Sequence, residues 1–407
     1  MKIWFINHYA VPPKYYPLAR PSLFAKNLIK MGHDVTIIAA STVHNSNNKN
    51  LINGRERIKR IEDDGIQYVL INCMPYCNNG IKRVINILQF ANRLHNVLDT
   101  LDKPDAIVAT SFDPFTCLEG IKYAKRHGIN AIAEIADLWP ETLIEYTGVS
   151  SNNLLVRYLR RIEKKIYMDA DDIIFTMEGA YKYILEQKWE EVIPESKVHY
   201  INNGILLERF DYNRANYAVD DLELKSNFLF KVVYTGSIRK VNNLSRLLEI
   251  AKCVKNENVR FLIWGDGDER HTLEQRAKME VIDNVIFKGS VEKKYIPYIV
   301  SNADVNIMHS DATSIMRFGL SANKLFDYLA AGKPIIMDFD SFKNPIREHD
   351  CGTVVTDKTP FAIARVIDEY ALMSKKRLDE KGRNARRVSE EYDFEKLTQK
   401  LIRIIKE

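Results

Sequence analysis

The sequence predicts an α/β protein made of two doubly wound, Rossmann-like parallel sheets, and three observations carry that expectation. Short β-branched or apolar runs alternate with longer amphipathic segments from end to end, the pattern of parallel strands joined by crossover helices. The alternation breaks once, at residues 209–226, where Asp211, Asn213, Arg214, Asp220 and Asp221 stand with little apolar periodicity, and it resumes at Phe230. At 407 residues the chain is also long enough for two or three domains of about 100–200 residues each.

Taken in order, the strands expected before the break are residues 2–6, 34–39, 67–71, 106–110, 131–135, 172–176 and 198–201, each a run such as KIWFI or AIVAT followed by a helical pattern. After the break they are residues 231–235, 259–264, 284–288, 305–308, 334–338 and 353–355. The expected domains are 1–208, with a C-terminal helix at about 391–407 packing back on it, and 209–390.

Composition narrows the function. Hydrophobic residues make up 46%, aromatic 10% and charged 28%, proportions of a folded globular chain rather than a disordered one. The net charge of +5 is the difference of 59 basic and 54 acidic residues, and the first 210 residues hold 26 against 24. No half is a basic arm, which argues against nucleic acid as the main partner. The cysteines at 73, 77, 117, 253 and 351 are odd in number and scattered, which suits a reducing compartment rather than a disulfide framework. Cys73 and Cys77 lack a second pair and a nearby His, so no metal site is expected. The apolar run after Lys2 is too short for a signal peptide and reads as a first strand, and about 18 consecutive apolar residues occur nowhere. The expected location is cytoplasmic.

In open parallel sheets ligands bind at the carboxyl ends of the strands, and two facing domains imply a cleft. Gly236-Ser237-Ile238-Arg239-Lys240 follows a strand and precedes a helical pattern. Its glycine lets backbone approach a ligand and its cations suit phosphates, although a plain βα turn with exposed Arg239 and Lys240 fits equally. Gly265-Asp266-Gly267 ends another strand before a helix but lacks a full GxGxxG, so a dinucleotide fingerprint is not met. The run from Gly319 to Pro334 is the most informative. In it Ser321 is a candidate helix cap, Lys324 lies in the first turns, and Gly332 with Pro334 ends the helix. Asp327 follows Asn323 by one turn on the same face and offers a carboxylate to sugar or ribose hydroxyls. Taken alone, a capped helix with solvated Lys and Asp accounts for that run better.

Together these segments resemble a GT-B fold glycosyltransferase of family four, in its bacterial surface-polysaccharide branch. The resemblance runs over nearly the whole length. Residues 31–38 (MGHDVTII) resemble the family's helix-to-strand junction, Asp137-Leu138-Trp139-Pro140 its "DLWP" loop, and Asn203-Gly204-Ile205 its "NG(V/I)D" segment. Tyr234-Thr235-Gly236, Gly265-Asp266-Gly267, residues 284–289 (NVIFKG) and the run from Lys324 to Pro334 follow in the family's order.

The resemblance implies transfer of a sugar from a nucleotide diphosphate sugar, and the expected donor is UDP-linked, with an N-acetylated amino sugar among the candidates. It implies retention at the anomeric carbon, no cofactor and no metal ion. Arg239 and Lys240 then correspond to the basic pair at the donor diphosphate, helped by the amides near Ser321, Ala322 and Asn323. Asp327 matches the second acid of the E-x7-E motif. Gly236, Ser237, Gly265, Asp266, Gly267, Gly289, Ser290, Val291, Lys324 and Leu325 complete the implied donor pocket. Two departures stand out: Gly319 occupies the position of the family's first Glu, and Leu206 replaces the Asp after "NG(V/I)".

In the first domain, His8, Tyr15, Tyr16, Arg20 and Trp139 are candidate acceptor contacts and Asp137 a candidate catalytic residue. Glu134 sits inside a strand and reads as a salt-bridge partner. Residues 81–98 place Ile81, Val84, Ile85, Leu88, Ala91, Leu94 and Leu98 at helical spacing with Lys82, Arg83 and Arg93 nearby. That helix either packs on the first sheet, the favoured expectation, or lies on an anionic membrane. The expected partners are a nucleotide sugar, a lipid-linked or saccharide acceptor, and the inner membrane peripherally. A GT-B epimerase and a non-catalytic nucleotide-sugar binder are the rival readings.

Overall fold

A computed structural model of the chain describes every residue except 17–19, 45, 47, 48, 78, 79 and 312. It divides into two compact units, Met1–Asn202 with Phe394–Glu407, and Asn203–Asp393.

The first unit runs β1 (Lys2–Ile6), α1 (Arg20–Lys30), β2 (Asp34–Ala40), β3 (Ile58–Asp63), β4 (Ile66–Ile71), α2 (Ile81–Leu98), β5 (Ala106–Thr110), α3 (Pro114–His127), β6 (Asn130–Ile135), α4 (Glu141–Thr147), α5 (Leu154–Asp169), β7 (Asp172–Phe175), α6 (Ala180–Glu186) and β8 (Val198–Tyr200). Its sheet has the order β3-β4-β2-β1-β5-β6-β7-β8. Ile3, Trp4, Phe5 and Ile6 are all buried, as are all five residues of β5, because helices cover both faces and alternation is lost. Strand β3 was not expected from the sequence. Its IKRIED run is an edge strand with exposed Lys59, Arg60 and Glu62, antiparallel to β4. The signal for it lay in the turn, where Asp64 and Gly65 have φ of 55° and 76°, the left-handed pair that a tight hairpin requires.

The second unit starts with α7 (Leu207–Asn216) and α8 (Leu222–Lys225), so the division falls after Asn202 rather than after residue 208, and the hydrophilic stretch carries helices. Its polar residues are spent on local structure. The Asp221 carboxylate accepts the Leu224 N–H at 2.8 Å, and the Lys288 ammonium donates to Asp221 and Glu223 at 2.6 Å each. Then follow β9 (Phe230–Thr235), α9 (Leu244–Cys253), β10 (Val259–Trp264), α10 (Arg270–Met279), β11 (Val285–Gly289), α11 (Ile296–Ser301), β12 (Val305–Met308), α12 (Asn323–Ala330), β13 (Ile335–Met337), α13 (Pro345–Glu348), β14 (Gly352–Val354), α14 (Pro360–Ala371) and α15 (Lys375–Ser389). The sheet is parallel throughout, in the order β11-β10-β9-β12-β13-β14. The last helix, α16 (Phe394–Lys406), belongs to the first unit. Phe394 packs edge-on against Phe24 at 5.3 Å, and Asn27 donates to the Thr398 hydroxyl at 3.3 Å.

Strand order reverses direction between β1 and β5 in the first unit and between β9 and β12 in the second. A crevice opens at the carboxyl ends of strands at such switch points, so each unit has one place where a ligand is expected.

Candidate functional site

In the second unit the loops after β9, β10 and β11 are stacked backbone on backbone. The Gly236 N–H donates to the Trp264 carbonyl at 3.0 Å, Gly265 to Gly289 at 2.9 Å, and Ile238 to Asp266 at 2.9 Å. A Cβ at Gly265 would lie 1.8 Å from the Gly236 oxygen, and one at Gly267 would lie 2.1 Å from that of Ile238. Those two glycines therefore serve turn-to-turn packing. Gly236 differs: its missing side chain leaves open the space beside the Tyr234 hydroxyl and the Lys324 ammonium, 3.1 and 3.5 Å from where a Cβ would stand.

Lys324, the second residue of α12, reaches this opening. Its Nζ lies 3.3 Å from the Tyr234 hydroxyl and 4.5 Å from the centre of that ring. Burial lowers its pKa from 10.5 to about 8, against the pull of the Asp338 carboxylate. Asp327, one turn on, has its carboxyl raised by burial and lowered by Lys293. Arg239 and Lys240 are exposed beside the Gly236 turn, as are Ser237 and, after β11, Ser290. Gly289 faces Arg270, whose Nη1 would lie 3.3 Å from a Cβ there, and Arg270 is tied to Glu274 at 2.7 Å. Asp266 is exposed, and Val291 packs beside Trp264 and Ile299.

Two expectations for this unit change. Ser321 does not cap α12: Ala322 holds that position with no side-chain cap, while the Ser321 hydroxyl accepts the Asn203 N–H at 3.3 Å and its carbonyl the Asn203 amide at 3.0 Å. Ala322 and Leu325 pack in the hydrophobic core, Leu325 fully buried. Gly319, at the position where the family carries its first Glu, has φ 125° and ψ −178°, a conformation that favours glycine over any side chain. Sequence reasoning missed one group altogether. His309, at the end of β12, is fully buried, pairs through Nδ1 with Asp338, and reaches the Asn243 carbonyl through Nε2 at 2.9 Å. Arg246 approaches the same carboxylate at 3.9 Å. A histidine and an acid at adjacent strand ends were the available signal.

In the first unit, the residues following β1, β5 and β6 gather around α2. The His8 Nε2 donates to the Asn86 side-chain oxygen at 2.6 Å, which leaves Nδ1 as an acceptor facing Asp113 Oδ2 at 3.8 Å. Burial lowers the His8 pKa to about 3 and raises that of Asp113 to about 6. Among the described residues, Asn7 Nδ2, His8 Nδ1, Asp113 Oδ2 and Thr116 Oγ1 are buried without a hydrogen-bond partner. Arg83 donates to the Tyr9 hydroxyl at 3.0 and 2.8 Å through Nε and Nη2. Asp137, half-buried after β6, is raised to about 6 by burial and lowered by the Arg83 charge. His8 is thus neutral and internal, while Asp137 with Arg83 forms the accessible polar pair. Arg83, Tyr9, Asn86 and Asp113 were not among the expected site residues; Arg83 stood in the helix noted for its apolar spacing.

The remaining candidates separate. Arg20 is a buried strut, paired to Glu134 at 2.9 Å and donating to the carbonyls of Ile201 and Asn202 at 2.8 and 2.5 Å. Tyr15 lies against Lys14 and Lys49 at 5.4 and 5.3 Å, and Tyr16 stands edge-on to His44 at 5.7 Å. Trp139 is half-buried with its indole Nε1 unpartnered among the described residues.

Residues 23–209 match the family model described as Glycosyltransferase Family 4, and residues 223–388 match Glycosyl transferases group 1. The Pseudomonas aeruginosa "Probable glycosyltransferase WbjE" is 23% identical over 60% of this chain and 60% of its own length. The Bacillus subtilis "Putative teichuronic acid biosynthesis glycosyltransferase TuaH" is 25% identical over 50% of this chain and 49% of its own. The chain thus matches no more than about 60% of the length of either curated relative. Among solved structures, the sucrose-phosphate synthase of Thermosynechococcus elongatus has a TM-score of 0.74 at 16% identity, covering 100% of this chain and 98% of that one. The Anabaena protein HepE in complex with UDP scores 0.66 at 11% over the full length of both chains. WaaG, a glycosyltransferase involved in lipopolysaccharide biosynthesis, scores 0.66 at 14% over 99% of each. The fold is GT-B.

Proposed function

The chain belongs to glycosyltransferase family 4, and from that premise we propose that it moves a sugar from a nucleotide diphosphate sugar to a lipid-linked or saccharide acceptor in bacterial surface-polysaccharide synthesis. One observation carries the donor half of this reading: Lys324 stands at the opening beside Gly236, at the switch point of the second unit. A cation beside a glycine turn and near the start of a helix suits a diphosphate. Exposed Arg239 and Lys240 add charge at the same turn, so the leaving diphosphate is neutralised by side chains and no metal ion is required. The UDP bound to HepE and the UDP-2-fluoro glucose bound to the E. coli trehalose-6-phosphate protein support UDP as the carrier. Asp327 is assigned to the donor's hydroxyls.

Transfer proceeds with retention at the anomeric carbon. The acceptor half rests on the first unit, where Asp137 and Arg83 offer one anion and one cation at the carboxyl ends of the strands. A carboxylate there orients an acceptor hydroxyl, and the reading places the protein at the cytoplasmic face of the inner membrane. Binding without transfer is a second reading, favoured by Gly319, whose backbone excludes the family's first Glu.

Calorimetry with UDP, GDP and ADP, without divalent metal, tests the donor site. UDP affinity that falls at least tenfold in Lys324→Met supports it, and no binding of any nucleotide sinks it. Release of UDP from UDP-sugars only when lipid-linked acceptors are added separates transfer from mere binding.

A further inference from the structure

His309 follows β12 and Asp338 follows β13, and the two strands pair in register up to Met308 and Met337, so the two residues stand side by side at the carboxyl edge of the second sheet. Both are buried. A carbonyl only accepts, so the Nε2 that reaches the Asn243 carbonyl at 2.9 Å carries a proton, and a second proton lies between Nδ1 and Asp338 Oδ2. Arg246 approaches that same oxygen at 3.9 Å and donates to the Lys358 carbonyl at 2.8 Å.

The Asn243 carbonyl is the far anchor of the turn that carries Arg239 and Lys240. At its near end the turn hangs from β9: the Thr235 N–H donates to the Tyr328 hydroxyl at 2.8 Å, and the Tyr234 hydroxyl to the Ser237 carbonyl at 3.1 Å. The Asn242 side chain closes it on that carbonyl at 2.8 Å, and a short helical turn, Lys240–Asn242, leads to Asn243. Asn243 has φ 46° and ψ 48°, a left-handed conformation that persists only where its surroundings hold it. His309 and the Arg246 N–H hold its carbonyl at 2.9 and 3.0 Å, and the Asp311 carboxylate accepts from its side chain at 2.8 Å.

A buried acid and base are a costly way to tie down a loop, since apolar packing serves as well. Two features connect this pair to the ligand instead. It stands beside the switch point between β9 and β12, at the strand ends where a ligand is expected. Asp338 Oδ1 is buried without a hydrogen-bond partner among the described residues, and the Asp338 charge acts on Lys324, favouring its protonated form.

We propose that His309 and Asp338 are the positioning pair of the donor site: through the imidazole the carboxylate fixes the turn that presents Arg239 and Lys240, and by its own charge it steadies the Lys324 ammonium. One buried acid thereby sets all three cations assigned to the diphosphate. Neither residue of the pair touches the donor; each acts through the groups it holds. The inference rests on the donor reading of this site given above.

Calorimetry with UDP from pH 6 to 9, without divalent metal, tests it on variants of the full chain. His309→Asn places an amide near Nδ1, so it keeps Asp338 and lets Asn243 go. UDP affinity at pH 7, where most of Lys324 is charged, should then fall about tenfold, roughly the worth of one hydrogen bond. The amides of Asn242 and Asn243, which donate to the Arg239 and Lys240 carbonyls at 2.8 and 3.0 Å, should exchange faster in the unliganded variant. His309→Gln, whose amide reaches toward the place of Nε2, should recover most of both. Asp338→Asn should move the alkaline fall in affinity to below pH 8, because charged Lys324 has lost its counter-charge, and added to Lys324→Met it should alter the profile no further. Native affinity in His309→Asn, or a His309→Gln no better than it, overturns the clamp, and an unmoved profile in Asp338→Asn overturns the hold on Lys324. If His309→Asn does not fold, exchange in His309→Gln decides the clamp: native protection of Asn242 and Asn243 supports it, and lost protection overturns it. A native chain that binds no nucleotide removes the donor reading, while the exchange arm, read without ligand, still tests the clamp. Native UDP binding that no variant alters removes this inference alone.

Discussion

Lys324 sets a pH dependence that nucleotide binding must show. Burial holds its ammonium at about 8 rather than 10.5, and the Asp338 carboxylate only partly offsets that. The drop corresponds to roughly 3 kcal/mol held against the charged form. A diphosphate beside Nζ favours that form and returns the pKa toward its ordinary range. The sign follows directly. Below about 8 the free protein already carries the charge, so affinity is flat; above it each binding event must first take up a proton, and affinity falls by up to tenfold per pH unit. At pH 8 roughly half of the free molecules lack the proton, so UDP binding should absorb about half a proton, and less at pH 7. The terminal phosphate, with a second pKa of about 6, is already ionised and contributes little there. Calorimetry in two buffers of different ionisation enthalpy measures the uptake. Lys324→Met should abolish both the uptake and the alkaline fall. Binding with no proton uptake between pH 7 and 9, or uptake that survives in Lys324→Met, refutes the assignment of Lys324 to the diphosphate.

Three further outcomes follow from side chains and backbone already described. Gly319→Glu, which restores the family's acid, should lower stability by about 1–3 kcal/mol without raising transfer, because φ of 125° is strained for a side chain; a stable, faster variant contradicts this. Glu163 is buried between the Tyr167 and Tyr183 hydroxyls at 2.8 and 2.7 Å, and burial raises its pKa from 4.5 to about 8. The stability it confers is whole below 4.5 and is lost as pH rises toward 8, so thermal melts should show Glu163→Gln gaining on the native chain from pH 5 to pH 8; a constant difference rejects the reasoning. Arg20→Met should cost about 3–5 kcal/mol in denaturant unfolding, since it strands the buried Glu134 carboxylate, and a loss below 1 kcal/mol would show that pair to be dispensable.

Much of the fold was legible because its strands are buried on both faces. Runs such as KIWFI and VRFLIW contain almost no polar interruption, and in a parallel sheet nothing else reads that way. Strand β3 escaped because an edge strand keeps charges outward, and the helices within residues 209–226 escaped because caps and ion pairs use the same residue types as loops. The loops after β9, β10 and β11 stood out by their glycines, yet what each glycine does could not be read. Gly265 and Gly236 look alike in sequence, and only the distance from a would-be Cβ to its neighbour separates a packing glycine from an open one. The acceptor-side cluster was half visible. Asp137 and His8 end strands, whereas Arg83 and Asn86 arrive from a helix whose spacing describes only its apolar stripes.

The return of the chain to its first unit bears on how the molecule is made. Residues 203–393 are threaded between the two parts of that unit, so α16 leaves the ribosome only after every residue of the second unit has been synthesised. Phe24 and Asn27 wait through that interval for Phe394 and Thr398, while the second unit has all its own strands and can fold first. The order of maturation is thus the reverse of the order of synthesis: the amino-terminal body begins first and is finished last. A fragment ending at Asn202 lacks its closing helix, and the first unit is expected to hold together by itself only when residues 394–407 are joined to it.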